Sequence, residues 1–199
     1  MAPRPSLLLA AFPPELAGLE RQPPAGWQVA CTGLGALAAG IATARLLAAL
    51  DPVQVLFLGT CGAYDARLAV GDRIQAGEAL AVSLDEQAGR AYRPEAQRCR
   101  WPATLGPDRL PFPALAVAVP PAITRTLAGA RTLGRLAAAE HLELTGVFAA
   151  CHAAGVPCGA ALAVANRVGP RAHAQWLAHH ETVSRELVAA LLEQGALAL

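Results

Sequence analysis

Six consecutive residues, Ala160 to Ala165, carry no polar side chain. A run this short falls well below the roughly 18 apolar residues of a membrane span and suits a strand buried on both faces. The residues around it are ordered in a telling way. Ala137, Ala138 and Ala139 lead through Leu142 into Glu143, and Thr145-Gly146 opens an apolar helix through Val147, Phe148 and Cys151. Gly155 and Pro157 stop that helix, glycine at the C-terminal side and proline just beyond. Asn166 is the first hydrogen-bonding side chain after the apolar run. The stretch therefore reads as carboxylate, helix, tight turn, buried strand, amide. In α/β sheets ligands gather where strands end, which makes Glu143 and Asn166 candidates for one pocket.

The rest of the chain repeats this alternation. Ser6 to Ala11 reads as a first strand, and Pro13-Pro14-Glu15 as the start of a helix carrying Leu16 and Leu19. Trp27 to Cys31 is a second strand, Thr32-Gly33-Leu34-Gly35 a small-residue turn, and Ala36 to Leu50 a helix closed by Asp51-Pro52. Val53 to Leu58 is a strand ending in the loop Gly59-Thr60-Cys61-Gly62. Val70-Gly71-Asp72 turns into a strand from Arg73 to Ser83. From Leu84 to Phe112 the pattern dissolves into charges, glycines and prolines, and a loop of that length in a compact domain is usually functional or mobile. Ala114 to Val119 resumes as a strand, Ala122 to Leu127 fits no element, and Ala128 to Leu136 is a helix or turn. After Gly169-Pro170, Trp176, Val183, Leu187 and Leu191 mark one face of a long amphipathic helix. Strands alternating with helices predict an α/β fold with a largely parallel sheet.

Composition narrows the class of function. At 199 residues the chain has the size of one domain with a substantial core. It is 54% hydrophobic and 16% charged, which excludes a disordered chain. A net charge of +1 without long basic runs excludes nucleic-acid or anionic-membrane binding through bulk charge. The five cysteines form no CxxC pair and are odd in number, which fits a reducing cytoplasm. The five histidines show no metal-ligand spacing, so neither metal nor cofactor is expected. Arg4 and Leu7-Leu8-Leu9 invite a targeting reading of Met1 to Phe12. The apolar run is short, Pro13-Pro14-Glu15 follows without a convincing cleavage site, and a buried strand is the expectation.

Laid out in this order, the segments resemble the purine nucleoside phosphorylase and nucleosidase superfamily over most of the chain. Within it the chain looks most like the nucleosidases, and especially the futalosine hydrolases. Ala11-Phe12-Pro13-Pro14-Glu15 stands where these hydrolases carry a loop ending in the glutamate that activates water. Thr32-Gly33-Leu34-Gly35 matches the turn before the first long helix, and Gly59-Thr60-Cys61-Gly62 the glycine loop beside base and ribose. Val70-Gly71-Asp72 with Glu78 matches the VGD…E segment. Leu142-Glu143 falls at the family's Met-Glu, Gly155-Val156-Pro157 at the following turn, and Ala165-Asn166 at the pair that faces the purine. No single element is specific; their joint order is. The resemblance implies a three-layer α/β/α single domain, residues 1–199, around a mixed, largely parallel sheet. It also implies a small purine nucleoside as ligand, and a homodimer or larger homo-oligomer in which a neighbour contributes to the pocket.

The resemblance assigns roles as well. Glu15 is the general base that deprotonates water, Glu143 accepts hydrogen bonds from ribose hydroxyls, and Asn166 donates to the departing base. Gly59, Thr60, Cys61, Gly62 and Leu142 line the nucleoside. Taken singly, each residue has a plainer explanation. Glu15 suits the positive end of a helix, Glu143 a solvated first turn, and Asn166 a turn before Gly169-Pro170. Phosphorylases of this superfamily hold phosphate with arginines near the first loop and just before the glycine loop. Here Val55-Leu56-Phe57-Leu58 precedes Gly59, and Glu15 would repel phosphate, which favours water. An amide at position 166 cannot protonate adenine, which points to a 6-oxopurine leaving group and to futalosine over methylthioadenosine. Leu142, Leu162, Ala165 and Ser83 depart from the residues usual in relatives, methionine, arginine, serine and aspartate in turn. The N-terminal half is also short, with a single strand between Gly26 and Gly33. These losses keep a non-catalytic nucleoside-binding protein in view beside the methylthioadenosine/adenosylhomocysteine nucleosidase and phosphorylase readings.

Overall fold

A computed structural model describes residues 3–198; Met1 and Ala2 of the segment weighed as a targeting sequence lie outside the described residues. Eight strands run through it: β1 (Ser6–Ala10), β2 (Trp27–Cys31), β3 (Gln54–Ala63), β4 (Arg73–Ala81), β5 (Arg100–Pro102), β6 (Ala114–Val119), β7 (Ala139–Glu140) and β8 (Cys158–Arg167). The helices are α1 (Ala36–Leu50), α2 (Leu84–Gln87), α3 (Leu127–Leu133), α4 (Leu144–Ala154) and α5 (Ala172–Glu193).

β1 pairs in parallel with β2 and β3, and β3 in parallel with β8, with Val55 opposite Cys158. β8 runs antiparallel to β4, β4 parallel to β6, β6 parallel to β7, and β7 antiparallel back to β3. The mixed sheet expected from the sequence is present, and it closes into a ring through β3, β8, β4, β6 and β7. β2–β1 continues as a flap from β3, and β5 hangs on β4.

Strand periodicity divides the core. Leu7, Leu9, Phe57, Cys61, Leu162 and Val164 face α1 and α4, while Leu8, Ala10, Leu56, Leu58, Ala161 and Ala163 face α5. Successive side chains alternate between two covered faces, which is why these strands carry almost no polar residue. α1 and α4 cross at glycines. A Cβ on Gly146 would stand 1.8 Å from the Ala36 carbonyl oxygen, so only glycine permits this approach.

Several boundaries differ from the sequence expectation. β3 continues to Ala63, so Gly59 to Gly62 is strand and not loop. Pro13–Leu16 is a single 3₁₀ turn, too short for a helix dipole to explain Glu15. β8 extends to Arg167 and includes Asn166, which is therefore not a turn residue. The 84–112 segment contains α2, the edge strand β5 and a 3₁₀ turn at Pro107–Arg109. Among the described residues no helix is long and apolar enough to cross a membrane.

Candidate active site

One cavity of about 260 Å³ opens where β1, β3 and β8 end beside the starts of α4 and α5. Glu15, Thr60, Cys61, Gly62, Leu142, Glu143 and Asn166 all line it. Gly59 does not. It lies behind His141, whose Nε2 would stand 2.8 Å from a Cβ at that position, so its glycine makes room for the imidazole.

Glu15 is turned inward by the 3₁₀ turn after β1. Its Oε1 accepts the Thr60 backbone N–H at 2.7 Å and the Thr60 hydroxyl at 2.8 Å, and Oε2 accepts the Ala11 N–H at 3.2 Å. Burial raises its pKa to about 7, with the Glu143 charge adding to the rise and the three hydrogen bonds opposing it. Such a carboxyl takes and returns a proton near neutral pH.

Glu143 is held differently. It is the N-cap residue of α4, and its Oε1 accepts the N–H of Gly35, the N-cap residue of α1, at 2.7 Å. The N-terminus of α1 thus faces this carboxylate, while within α4 the side chain makes no cap bond. His141 Nδ1 lies 3.1 Å from the Glu143 backbone nitrogen and 3.2 Å from its Oε2. Burial lowers the His141 pKa against the pull of Glu143. The neutral ring accepts from the N–H in one tautomer and donates to the carboxylate in the other.

Asn166 owes its place to a β-bulge. Cys61 pairs with Val164 and Gly62 with Asn166, leaving Ala165 as the extra residue. Bulges re-aim the side chains that follow them and recur beside active sites. Asn166 Nδ2 donates one hydrogen to the Arg167 carbonyl at 3.1 Å, which leaves its second N–H and its Oδ1 for a ligand. Cys61 lines the cavity and packs in the core; burial, reinforced by the Glu15 charge, pushes its thiol far up, so it is no ready nucleophile.

Some cavity residues escaped the sequence reading. Trp176 counted as core because it keeps the helical spacing of Val183, Leu187 and Leu191. It instead joins Phe12, at 5.8 Å between ring centroids, and His180, stacked at 4.1 Å, in an aromatic wall. Glu140, directly after the three alanines, also lines the cavity, and no sequence signal marks it. It accepts the Tyr64 hydroxyl and, at 3.0 Å, the Thr124 N–H, tying the loop before α3 to the cavity. Among the described residues no arginine lines the cavity, and the chain has no lysine. The guanidinium of Arg167, next to Asn166, is spent on the carbonyls of Tyr64, Asp65 and Leu68. Among the described residues no group of three His, Cys, Asp or Glu side chains is gathered as a metal would need.

The family model described as phosphorylase superfamily matches residues 28–127, just over half of the chain. The chain belongs to the phosphorylase superfamily. No curated protein matches it. Among solved structures, this superfamily member is similar to the 5'-methylthioadenosine/S-adenosylhomocysteine nucleosidase of Helicobacter pylori crystallised with butyl-thio-DADMe-Immucillin-A. The TM-score is 0.81 at 16% identity, over 98% of this chain and 100% of that one. It is similar also to the native futalosine hydrolase of Helicobacter pylori, with a TM-score of 0.80 at 15% identity, over 96% and 98%. A nucleosidase from Colwellia psychrerythraea in complex with adenine gives 0.75 at 20% identity, over 96% and 95%. At these identities the likeness establishes the superfamily fold, and the chemistry must be argued from the cavity itself.

Proposed function

We propose that the protein hydrolyses the N-glycosidic bond of a purine nucleoside, with the whole chain acting as one domain around this cavity. The observation that carries the reading is Glu15, a buried carboxyl with a pKa of about 7 that shares a cavity, free of arginine among the described residues, with a second carboxylate held by the N-terminus of α1. Deprotonated Glu15 removes a proton from water as the water oxygen bonds to the anomeric carbon. The glycosidic bond breaks with its electron pair passing to the base. Glu143 accepts hydrogen bonds from the ribose hydroxyls, and its charge favours the oxocarbenium-like sugar of the transition state. The free N–H of Asn166 donates to the base as negative charge collects there. Phosphorolysis is disfavoured because Glu15, when charged, repels phosphate, and among the described residues no arginine lines the cavity.

The leaving group we favour is a 6-oxopurine, with futalosine as the substrate and hypoxanthine as the released base. Asn166 can donate a hydrogen bond but cannot deliver a proton, and an oxopurine tolerates negative charge better than adenine. One observation favours a second reading. Asn166 keeps one donor and one acceptor free, the pair that matches the N7 and N6 edge of adenine, as in methylthioadenosine. Leu34 and Ile123 line the cavity while 70% and 53% exposed, and we place a neighbouring copy of the chain over them in a homo-oligomer. The setting we favour is a reducing cytoplasm, in keeping with five free cysteines.

The test is incubation with futalosine, inosine and methylthioadenosine, each with and without phosphate, following free base and free sugar. Phosphate-independent release of hypoxanthine from futalosine is expected. Release only with phosphate overturns the water-base assignment. Adenine release alone selects the second reading, and binding without any release would leave a nucleoside-binding protein.

A further inference from the structure

Thr60 sits between the carboxyl of Glu15 and the aromatic wall. Leu56, Leu58 and Thr60 occupy the same face of β3, the face covered by α5. The Trp176 indole N–H donates to Thr60 Oγ1 at 3.1 Å, and the Thr60 hydroxyl lies 2.8 Å from Glu15 Oε1. An indole nitrogen only donates, whereas a hydroxyl has one hydrogen and two acceptor sites. With the indole occupying an acceptor site, the single hydroxyl hydrogen is left to point at Glu15. We propose that Trp176 is a positioning residue, whose indole N–H locks the Thr60 hydroxyl as a donor to Glu15.

The indole is itself fixed. His180 stacks on it at 4.1 Å and 14° between planes, and Phe12, three residues before Glu15, packs on it from the first loop. α5 thereby reaches the water base through one hydroxyl. The inference rests on the reading of Glu15 as that base, but its geometry can be tested without turnover. A donor held on a carboxylate stabilises the charged form, so releasing it raises the proton affinity of Glu15. The other ionisable groups facing Glu15 are Glu143 at the start of α4, Cys61 on β3 and Cys31 on β2. His173 and His180 lie against the indole on α5. Glu20, Arg21, Glu181 and Arg185 lie on the outer side of the Pro13–Leu16 turn. None of these changes in the variants below.

The experiment is a pH titration of the full-length protein labelled with ¹³Cδ-glutamate, the Glu15 resonance being assigned by its loss in Glu15→Gln. Trp176→Phe keeps an aromatic ring in the wall but removes the donor. It is expected to raise the proton affinity of Glu15 about tenfold, moving the midpoint up by about one pH unit. Thr60→Val, which keeps the backbone N–H, is expected to raise it at least as much. In the Thr60→Val background, adding Trp176→Phe should change nothing further. An unmoved midpoint in Trp176→Phe overturns the proposal. So does a Trp176→Phe shift that persists without the hydroxyl, because Trp176 would then act by excluding water. Circular dichroism checks that each variant is folded, and Trp176→Leu, read in the same way, substitutes if Trp176→Phe is not. Hydrolysis retained in Glu15→Gln would overturn the functional reading and leave this titration result standing.

Discussion

Of the three carboxylates that line the cavity among the described residues, Glu15 and Glu143 are equally buried but held in different ways. Glu143 stands at the N-cap position of α4 and its carboxylate accepts from the cap of α1, so the N-terminus of α1 meets it. Glu15 hangs from a four-residue 3₁₀ turn and has only three hydrogen bonds to set against its desolvation, which leaves its pKa near 7. One side of the cavity ties its carboxylate to a helix N-terminus, and the other is placed to exchange a proton. The proposed hydrolysis uses both behaviours in one cavity, and their difference lies in backbone placement and not in residue type.

The largest effect that would break this contrast is in activity. Glu15→Gln is expected to lower hydrolysis by about 10²–10⁴-fold with little change in KM, read from release of free base. A variant within a few-fold of wild type would remove Glu15 from the mechanism. Glu143→Gln should cost roughly 10²–10³-fold, and part of the loss should appear in KM because the ribose is held in the ground state too.

The two sides also separate in stability. The folded pKa of Glu15 is about 7 against an ordinary 4.5, so the folded chain binds this proton more tightly than the unfolded chain. Its contribution favours folding fully below pH 4.5 and is lost as pH rises through 7. The stability of wild type relative to Glu15→Gln should therefore fall by about 3 kcal/mol between pH 4 and about pH 8, measured by urea unfolding. A difference that is flat across this range contradicts the buried, proton-exchanging Glu15. The smallest effect falls on the other side. Gly146→Ala forces a methyl group onto the Ala36 carbonyl and should destabilise by about 1–3 kcal/mol, lowering Tm by about 2–4 °C per kcal/mol. It should weaken nucleoside binding through Glu143 and leave the Glu15 titration in place.

What could be read in advance follows from how local each signal is. The doubly covered strands were legible because every position from Leu7 to Ala10 or from Ala160 to Ala165 meets an apolar neighbour. Glu15, Glu143 and Asn166 were legible through the order of the segments, since each alone had a plainer explanation. The extension of β3 through Gly59 to Gly62 was not. Glycine in sequence signals a turn, whereas here Gly59 yields space to His141 and Gly62 to Asn166 and Val168. Trp176 was hidden by a true periodicity, because it continues the buried stripe of α5 and also ends it at the cavity. Ring closure was hidden because it depends on β7, a strand of two residues, Ala139 and Glu140, which no propensity marks.

That ring also sets an order of events during synthesis. β8 joins β3 to β4, and its pairing of Cys158 with Val55 waits until most of the chain has left the ribosome. Until then, strands destined to be covered on both faces have no cover on the α5 side, and such non-local pairing is slow and exposed to aggregation. Asn166 and Trp176 arrive last of all, while Glu15 is made first and waits for them. A stalled or truncated chain lacking its last quarter would therefore carry Glu15 and Glu143 without the rest of the cavity, and would meet chaperones before its fold closed.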